Sequence, residues 1–186
     1  MPLLWRIPDD YPQEQIGRYD RDRGPDRFVF LKGCRLSEPF EIRPKIQFDC
    51  KKDDLCRNDC IWPDALVPIV NDRMRDFLNS RVSDQVQFFD VDISANDGNV
   101  YGYYILNLTN VFDVIDIDSS KYNFIPGTKK VMSFSSLRVY DSGIDDIGVG
   151  RDKIYLSYLF VGSGLAKDLK IAEFRGVSLI EPSSVI

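Results

Sequence analysis

The apolar positions change period several times along this chain. Residues 86–93 alternate like a strand, with Val86, Phe88 and Phe89 followed by Val91 and Ile93 between polar neighbours. Residues 100–107 form a second strand rich in aromatics, among them Tyr101, Tyr103 and Tyr104. Between them, Asn96-Asp97-Gly98-Asn99 is a turn sequence, since Asn and Gly accept the left-handed backbone a tight reversal needs. The two runs predict an antiparallel hairpin. Upstream, Met74, Phe77, Leu78 and Val82 recur at helical spacing, and Asn71 or Asp72 offers a capping oxygen, so a helix is predicted from about residue 72 to 81. Residues 65–70 lead into it as a short apolar strand or turn. Residues 111–118, 129–134 and 136–141 are further strand candidates.

The C-terminal stretch has the same order. Residues 154–161 read as a strand, Ser163 as a cap, and Leu165, Ala166, Leu169 and Ala172 as one helix face. Gly176 then ends the helix region before a strand at 177–180. At a fixed offset of 91 residues, Val70 meets Val161, Asp72 meets Ser163, Met74 meets Leu165, Leu78 meets Leu169, Val86 meets Val177 and Phe88 meets Leu179. This suggests two copies of a strand–helix–strand unit. Chance is the alternative, because a cap followed by an apolar i, i+4 pair is common.

Before residue 64 the pattern is irregular. Pro2, Pro8, Pro12, Pro25, Pro39, Pro44 and Pro63 leave no room for a long helix. Only residues 27–32 and 44–49 read as short strands. The expectation is an α+β protein with a mostly antiparallel sheet and two or more packed helices. Residues 1–63 would form an irregular Pro-rich N-terminal lobe and residues 64–186 an α+β domain, with one continuous domain as the alternative.

With 44% hydrophobic and 12% aromatic residues, the 186-residue chain can fill a core. No apolar run approaches the ~18 residues of a membrane span. The opening residues lack a basic leader and a long apolar stretch, which points to the cytoplasm. There is no histidine. That removes Ser-His-Asp hydrolysis, Cys-His proteolysis, His-ligated metals and His proton shuttles. Cys34, Cys50, Cys56 and Cys60 lack the paired knuckles of a structural zinc site, and free thiols are the favoured reading over zinc or a disulfide. Neither the carboxylate pairs Asp90/Asp92 and Asp116/Asp118 nor the loop Asp141–Asp146 carries a full catalytic or calcium pattern. The glycine clusters lack a phosphate-binding motif. No cofactor and no enzymatic activity are expected.

The net charge of −5 is concentrated. Residues 82–120 hold seven aspartates and no lysine or arginine: Asp84, Asp90, Asp92, Asp97, Asp113, Asp116 and Asp118. Such a field repels nucleic acid and attracts a basic partner, although aspartates at turns and strand ends are also simply solvated.

The order of motifs resembles the Myxococcus-type immunity protein family of bacterial polymorphic toxin systems. The resemblance rests on the block from Asp64 to Leu78 leading to Val86-Gln87-Phe88-Phe89, then on the run from Tyr103 to Asp116 followed by Ser119-Ser120. It closes on Leu159-Phe160-Val161 and Phe174-Arg175-Gly176-Val177. It spans roughly residues 60–182 and contains no catalytic signature. It implies a cytoplasmic protein that binds and neutralises a cognate toxin, often a nuclease delivered by contact-dependent or type VI secretion. A nuclease presents a basic groove to phosphates, which an acidic protein can mimic. On that reading Asp90, Asp92, Asp97, Asp113, Asp116 and Asp118, with the interleaved Tyr101 and Tyr103, are the expected partner-binding residues. The alternative is a non-catalytic adaptor for loading effectors onto a secretion system. The expected partner is a protein, with no nucleic acid and no membrane, and the oligomeric state is left open.

Overall fold

The computed structural model describes residues 1–184 other than 38 and 130. The first strand, β1 (Leu3–Arg6), is followed by β2 (Ile16–Tyr19), β3 (Lys45–Gln47), the short helix α1 (Lys52–Cys56), β4 (Cys60–Pro63) and β5 (Ile69–Asn71). Helix α2 (Asp72–Val82) leads to β6 (Val86–Asp90), β7 (Asp92–Ala95), β8 (Gly98–Val100) and β9 (Tyr103–Leu108). Then come β10 (Val111–Phe112), β11 (Lys121–Phe124), β12 (Val131–Ser136), β13 (Val149–Asp152) and β14 (Leu159–Val161). Helix α3 (Ser163–Ile171) and β15 (Ser178–Ile180) end the chain's regular structure. Strands predominate, pairing is mostly antiparallel, and the α+β expectation holds.

The predicted hairpin is the centre of the larger sheet. Its first arm is β6 continued by β7 past Val91, and its second is β8 continued by β9 past Tyr101-Gly102. β6 pairs with β9 from Val86↔Leu108 to Asp90↔Tyr104, and β7 pairs with β8. The sheet then runs β9, β5, β4, β2, β3 and returns to β7, which β3 joins in parallel. The eight strands thus close into a small barrel with only short unpaired edges. Inward positions alternate as a closed sheet requires: Phe89, Ile93, Val100, Tyr103, Ile105, Ile69, Ile61 and Ile46 share one cluster with Phe30, Phe48 and Leu55. At one end Asn107 and Gln87 face each other, and residues 34–36 lie across them. Asn107 Nδ2 donates to Cys34 O and Gln87 Oε1, while the Gln87 amide exchanges hydrogen bonds with Leu36 N and O.

The second sheet has the order β10-β13-β14-β1-β15. Its two faces alternate cleanly. Trp5, Leu159 and Val161 enter the cluster that holds both long helices, and Leu4 and Phe160 enter another on the far side. Helices α2 and α3 therefore share one core between barrel and sheet, with Met74, Leu78 and Val82 from one and Leu165, Ala166 and Leu169 from the other. Phe77 stacks edge-on against Phe174 at 5.1 Å, and Arg81 pairs with Asp168 at 3.3 Å.

The 91-residue offset has a structural counterpart. β5 and β6 are both antiparallel to β9, which lies between them; β14 and β15 are both antiparallel to β1, which lies between them. Each helix thus connects two parallel strands across an inserted antiparallel one, and the offset carries the first residue of α2 onto the first of α3. Residues 1–63 supply the central strand of this second unit and three barrel strands.

Several local expectations change. Residues 27–32 are not a strand: the Asp26 carboxylate accepts from Phe28 N at 2.9 Å and starts a 3-10 turn over Arg27–Leu31 that buries Phe30 and leaves Phe28 exposed. Residues 111–118 are extended only at Val111–Phe112, with a single bridge Ile115↔Val139 beyond it. The expected strand at 129–134 lies at Val131–Ser136, Lys130 being outside the described residues, and beyond Ser136 the expected strand at 136–141 is reduced to the Val139 end of that bridge. Of residues 154–161 only Leu159–Val161 is extended; β13 has no alternation to reveal it, and that of β11 (Lys-Tyr-Asn-Phe) lasts only four residues. Asn71 caps α2 as predicted, accepting from Met74 N at 3.0 Å. Ser163 does not cap α3. Asp146 does so from a distance, accepting from Gly164 N at 2.8 Å and Ser163 Oγ at 2.6 Å. Glycine at 162 is what lets this loop approach, since a Cβ there would lie 2.0 Å from Asp145 O.

Two outcomes test this packing. A Cβ on Gly17 would sit 2.6 Å from both Ile46 Cγ2 and Phe48 Cζ inside the barrel. Gly17→Ala should therefore cost about 1–3 kcal/mol in urea unfolding, as overpacking does; an unchanged midpoint would mean a looser interior. The bonds to Ser163 and Gly164 hold the Asp146 carboxyl below its ordinary value of 3.8. A depressed folded pKa means stabilisation that is full above that value and lost as pH falls through and below it. Asp146→Asn should lower the melting temperature at pH 7, with the gap to wild type closing in acid; a gap that persists at pH 2 would contradict the capping role.

Candidate functional site

The expected partner-binding aspartates separate into two regions. Asp90, Asp92 and Asp97 lie on the barrel. Asp90 pairs with Arg43 at 3.0 Å and Asp92 with Arg23 at 2.7 Å, both cations coming from the first 63 residues. Asp97 accepts from Lys52 N at 2.8 Å and so caps α1. Beside Asp92, a groove of ≈ 380 Å³ is lined by Arg23, Arg43, Lys45 and Tyr101, so cations outnumber carboxylates there. Tyr101 is 81% exposed at the bend of the hairpin. Tyr103 is a correction: only 7% exposed, it faces the barrel interior, and its hydroxyl donates to Leu55 O and Asn58 O. Period-2 alternation puts Tyr101, Tyr103 and Ile105 on one face; what separates Tyr101 from Tyr103 is the break between β8 and β9, where Gly102 takes φ +77.

Asp113, Asp116 and Asp118 lie in the segment that covers the far face of the five-stranded sheet. What places them is a residue the sequence reading passed over, Asp152, which is 1% exposed. Its Oδ2 accepts from Val114 N at 3.2 Å and Ile115 N at 3.0 Å, and its Oδ1 accepts from Ile154 N and Tyr155 N at 2.9 and 2.8 Å. Four amides converge on one carboxylate, which fixes the chain on both sides of the acidic turn. Val114 and Ile115 are driven into the core beneath, with Leu137, Phe134 and Phe160. Backbone bonds from Asp116 N to Arg138 O and from Tyr140 N to Val114 O then lay residues 138–140 alongside.

The product is a carboxylate patch around Tyr140, which is 44% exposed. Asp113, Asp116 and Asp118 all act on the phenol; desolvation first and these charges next push its pKa up. Bonds from Ser119, and then one from Tyr140, hold the Asp116 carboxyl below its usual range. Lys153 pairs with Asp113 and is itself raised by that bond. Asp116 and Asp118 have no cationic partner among the described residues. Of the expected aspartates, Asp116 and Asp118 are thus the two on this segment that the fold leaves without an ion pair among the described residues, and Tyr140 stands beside them. No periodicity flagged Tyr140, which reaches the patch only because the Ile115↔Val139 bridge brings its segment there.

The four cysteines are free thiols, with Cys34 and Cys56 exposed and Cys50 and Cys60 buried. Burial pushes the Cys50 thiol up to about 11 and raises Cys60 further, which disfavours the thiolate a metal would need. Among the described residues no group of three Cys, Asp or Glu side chains is arranged to hold a metal ion. No described helix is long and apolar enough to cross a membrane.

No curated protein matches the chain. A family model does, that of the immunity protein family Imm11, and it aligns with residues 5–181, from Trp5 in β1 to Glu181 just past β15. That span takes in both split strand–helix–strand units, the barrel and the acidic segment, so the chain belongs to the Imm11 immunity protein family.

Proposed function

We propose that this protein neutralises a cognate toxin in the cytoplasm by binding it directly, and that the patch of Asp116, Asp118 and Tyr140, with Asp113 at its margin, is part of the contact. The supporting observation is the patch itself. It is a rigid, net negative surface held by a buried carboxylate and carrying a half-exposed tyrosine, the combination that anchors binding hot spots. Immunity-family membership supplies the class of partner, a toxin. A nuclease domain is the toxin class that fits best, because its phosphate-binding groove is cationic and a carboxylate surface both steers toward it and occludes it. Asp90, Asp92 and Asp97 are the weaker members of the proposed contact, since two are already paired and the third caps a helix. Tyr101, fully available at the hairpin bend, belongs to the same outer part of the proposal.

The test is association with the toxin domain encoded by the adjacent gene, measured by biolayer interferometry. Asp118→Lys with Tyr140→Ala should slow association about tenfold near physiological salt, and the difference should shrink at 0.5 M salt. Co-expression should show the same variant protecting cells less well. Unchanged association and full protection would remove the patch from the contact.

A further inference from the structure

One element projects from the body and is not explained by the anionic patch. β11 and β12 form a two-stranded sheet that pairs with no third strand among the described residues. Its root is anchored: Phe134 is buried and stacks edge-on with Tyr122, Tyr155 and Tyr158, at centroid distances of 6.0, 5.1 and 5.7 Å. Its tip is apolar and bare. Phe124 is 51% exposed, Ile125 41% and Met132 61%. Isolated two-stranded ribbons are marginal in water, so such side chains on one gain most from being covered.

The tip is also shaped. The register shifts between Asn123 and Phe124, pairing them with Ser133 and Val131, so Met132 is left over as a bulge and turned outward. Pro126-Gly127 makes the reversal: Gly127 has φ +76, and Thr128 N donates to Ile125 O at 3.0 Å. A Pro-Gly turn of this kind is stiff, which lowers the entropy lost when the tip is captured.

Charge says what captures it. Residues 119–138 contain Lys121, Lys129, Lys130 and Arg138 and no acid, in a protein of net charge −5. Among the described residues Lys121, Lys129 and Arg138 make no ion pair. The complement of an apolar tip in a collar of unpaired cations is an apolar cleft rimmed by carboxylates. We propose that the β11–β12 hairpin is an arm that inserts Phe124, Ile125 and Met132 into such a cleft on the toxin, its lysines meeting the acidic rim. This rests on the direct-binding reading above and deepens it: the toxin would present cations to the Tyr140 patch and carboxylates to the arm. A metal-dependent nuclease has both, carboxylates for its ions inside a cationic groove. A lipid surface fits less well. Asn123 Nδ2 lies 3.5 Å from Ser133 Oγ, and Ser135 Oγ donates to Lys121 O, so polar groups sit just behind the tip where hydrocarbon would strand them.

The experiment uses the full chain, the toxin domain encoded by the adjacent gene, and vesicles of phosphatidylcholine with phosphatidylglycerol. Two double variants, Phe124→Ser/Met132→Ser and Lys121→Glu/Lys129→Glu, change exposed side chains, and melting temperatures confirm that both fold. The first should weaken toxin binding at least roughly tenfold, mainly through faster dissociation, and the second should slow association. Neither wild type nor variants should bind vesicles. Toxin affinities within twofold of wild type for both variants would overturn the arm while leaving the direct-binding reading intact. Vesicle binding that needs Phe124 and Met132, with toxin affinity unchanged, would overturn it in favour of a membrane contact. A wild-type chain that neither binds nor protects would overturn the direct-binding reading and the arm together.

Discussion

The whole arrangement depends on one shared apolar layer, the cluster in which α2 and α3 lie between the barrel and the five-stranded sheet. The barrel fills its own interior, but its outer residues Trp62, Val70, Val86, Leu106 and Leu108, and Trp5, Leu159 and Val161 of the second sheet, are buried in the same cluster as the apolar stripes of the two helices. Each fully buried leucine contributes about 1.5–3 kcal/mol, so Leu78, Leu165 and Leu169 alone carry a large part of a typical margin of stability. The far face of the second sheet is then free to support the acidic segment through Phe160 and Leu4. Packing at the centre thereby decides where the charged surface can be.

Pairing then decides which charges count. The Arg43–Asp90 and Arg23–Asp92 pairs are about half exposed, so they add little stability, on the order of 0–1 kcal/mol each. Their effect is on the field: they offset Asp90 and Asp92 at contact distance and so weaken what a basic partner could steer on there. In the segment over the second sheet Asp116 and Asp118 form no ion pair among the described residues, although Arg138 lies alongside through its backbone, while residues 119–138 carry cations and no acid. A surface with both signs in separate patches selects for orientation as well as for charge.

What the sequence made legible was local. Asn71 before a helical repeat, Asn-Asp-Gly-Asn between two alternating runs and the 91-residue correspondence each depend on neighbours within a few positions or on two such sets compared. Long-range pairing was not legible. Nothing in Leu3–Arg6 says that it lies between β14 and β15, and nothing in the hairpin says that β3 will join its far side to close a barrel. Residues 27–32 look like a short strand, with Phe28-Val29-Phe30-Leu31 between Arg27 and Lys32, yet a cap from Asp26 and the burial of Phe30 make a 3-10 turn the better solution. The candidate site shows the same division. The aspartate-rich window was visible by counting, but which members stay unpaired depends on arginines 47 to 69 positions away. Asp152 and Tyr140 matter only through contacts that the fold creates.

The claim that this molecule acts by occupying its partner through the acidic segment is tested most directly by hydrogen–deuterium exchange, with and without the cognate toxin domain. Amides between residues 113 and 140 should gain protection on complex formation while the barrel strands stay as they were. Protection confined to the barrel, or none anywhere beside full neutralisation of the toxin, would contradict it.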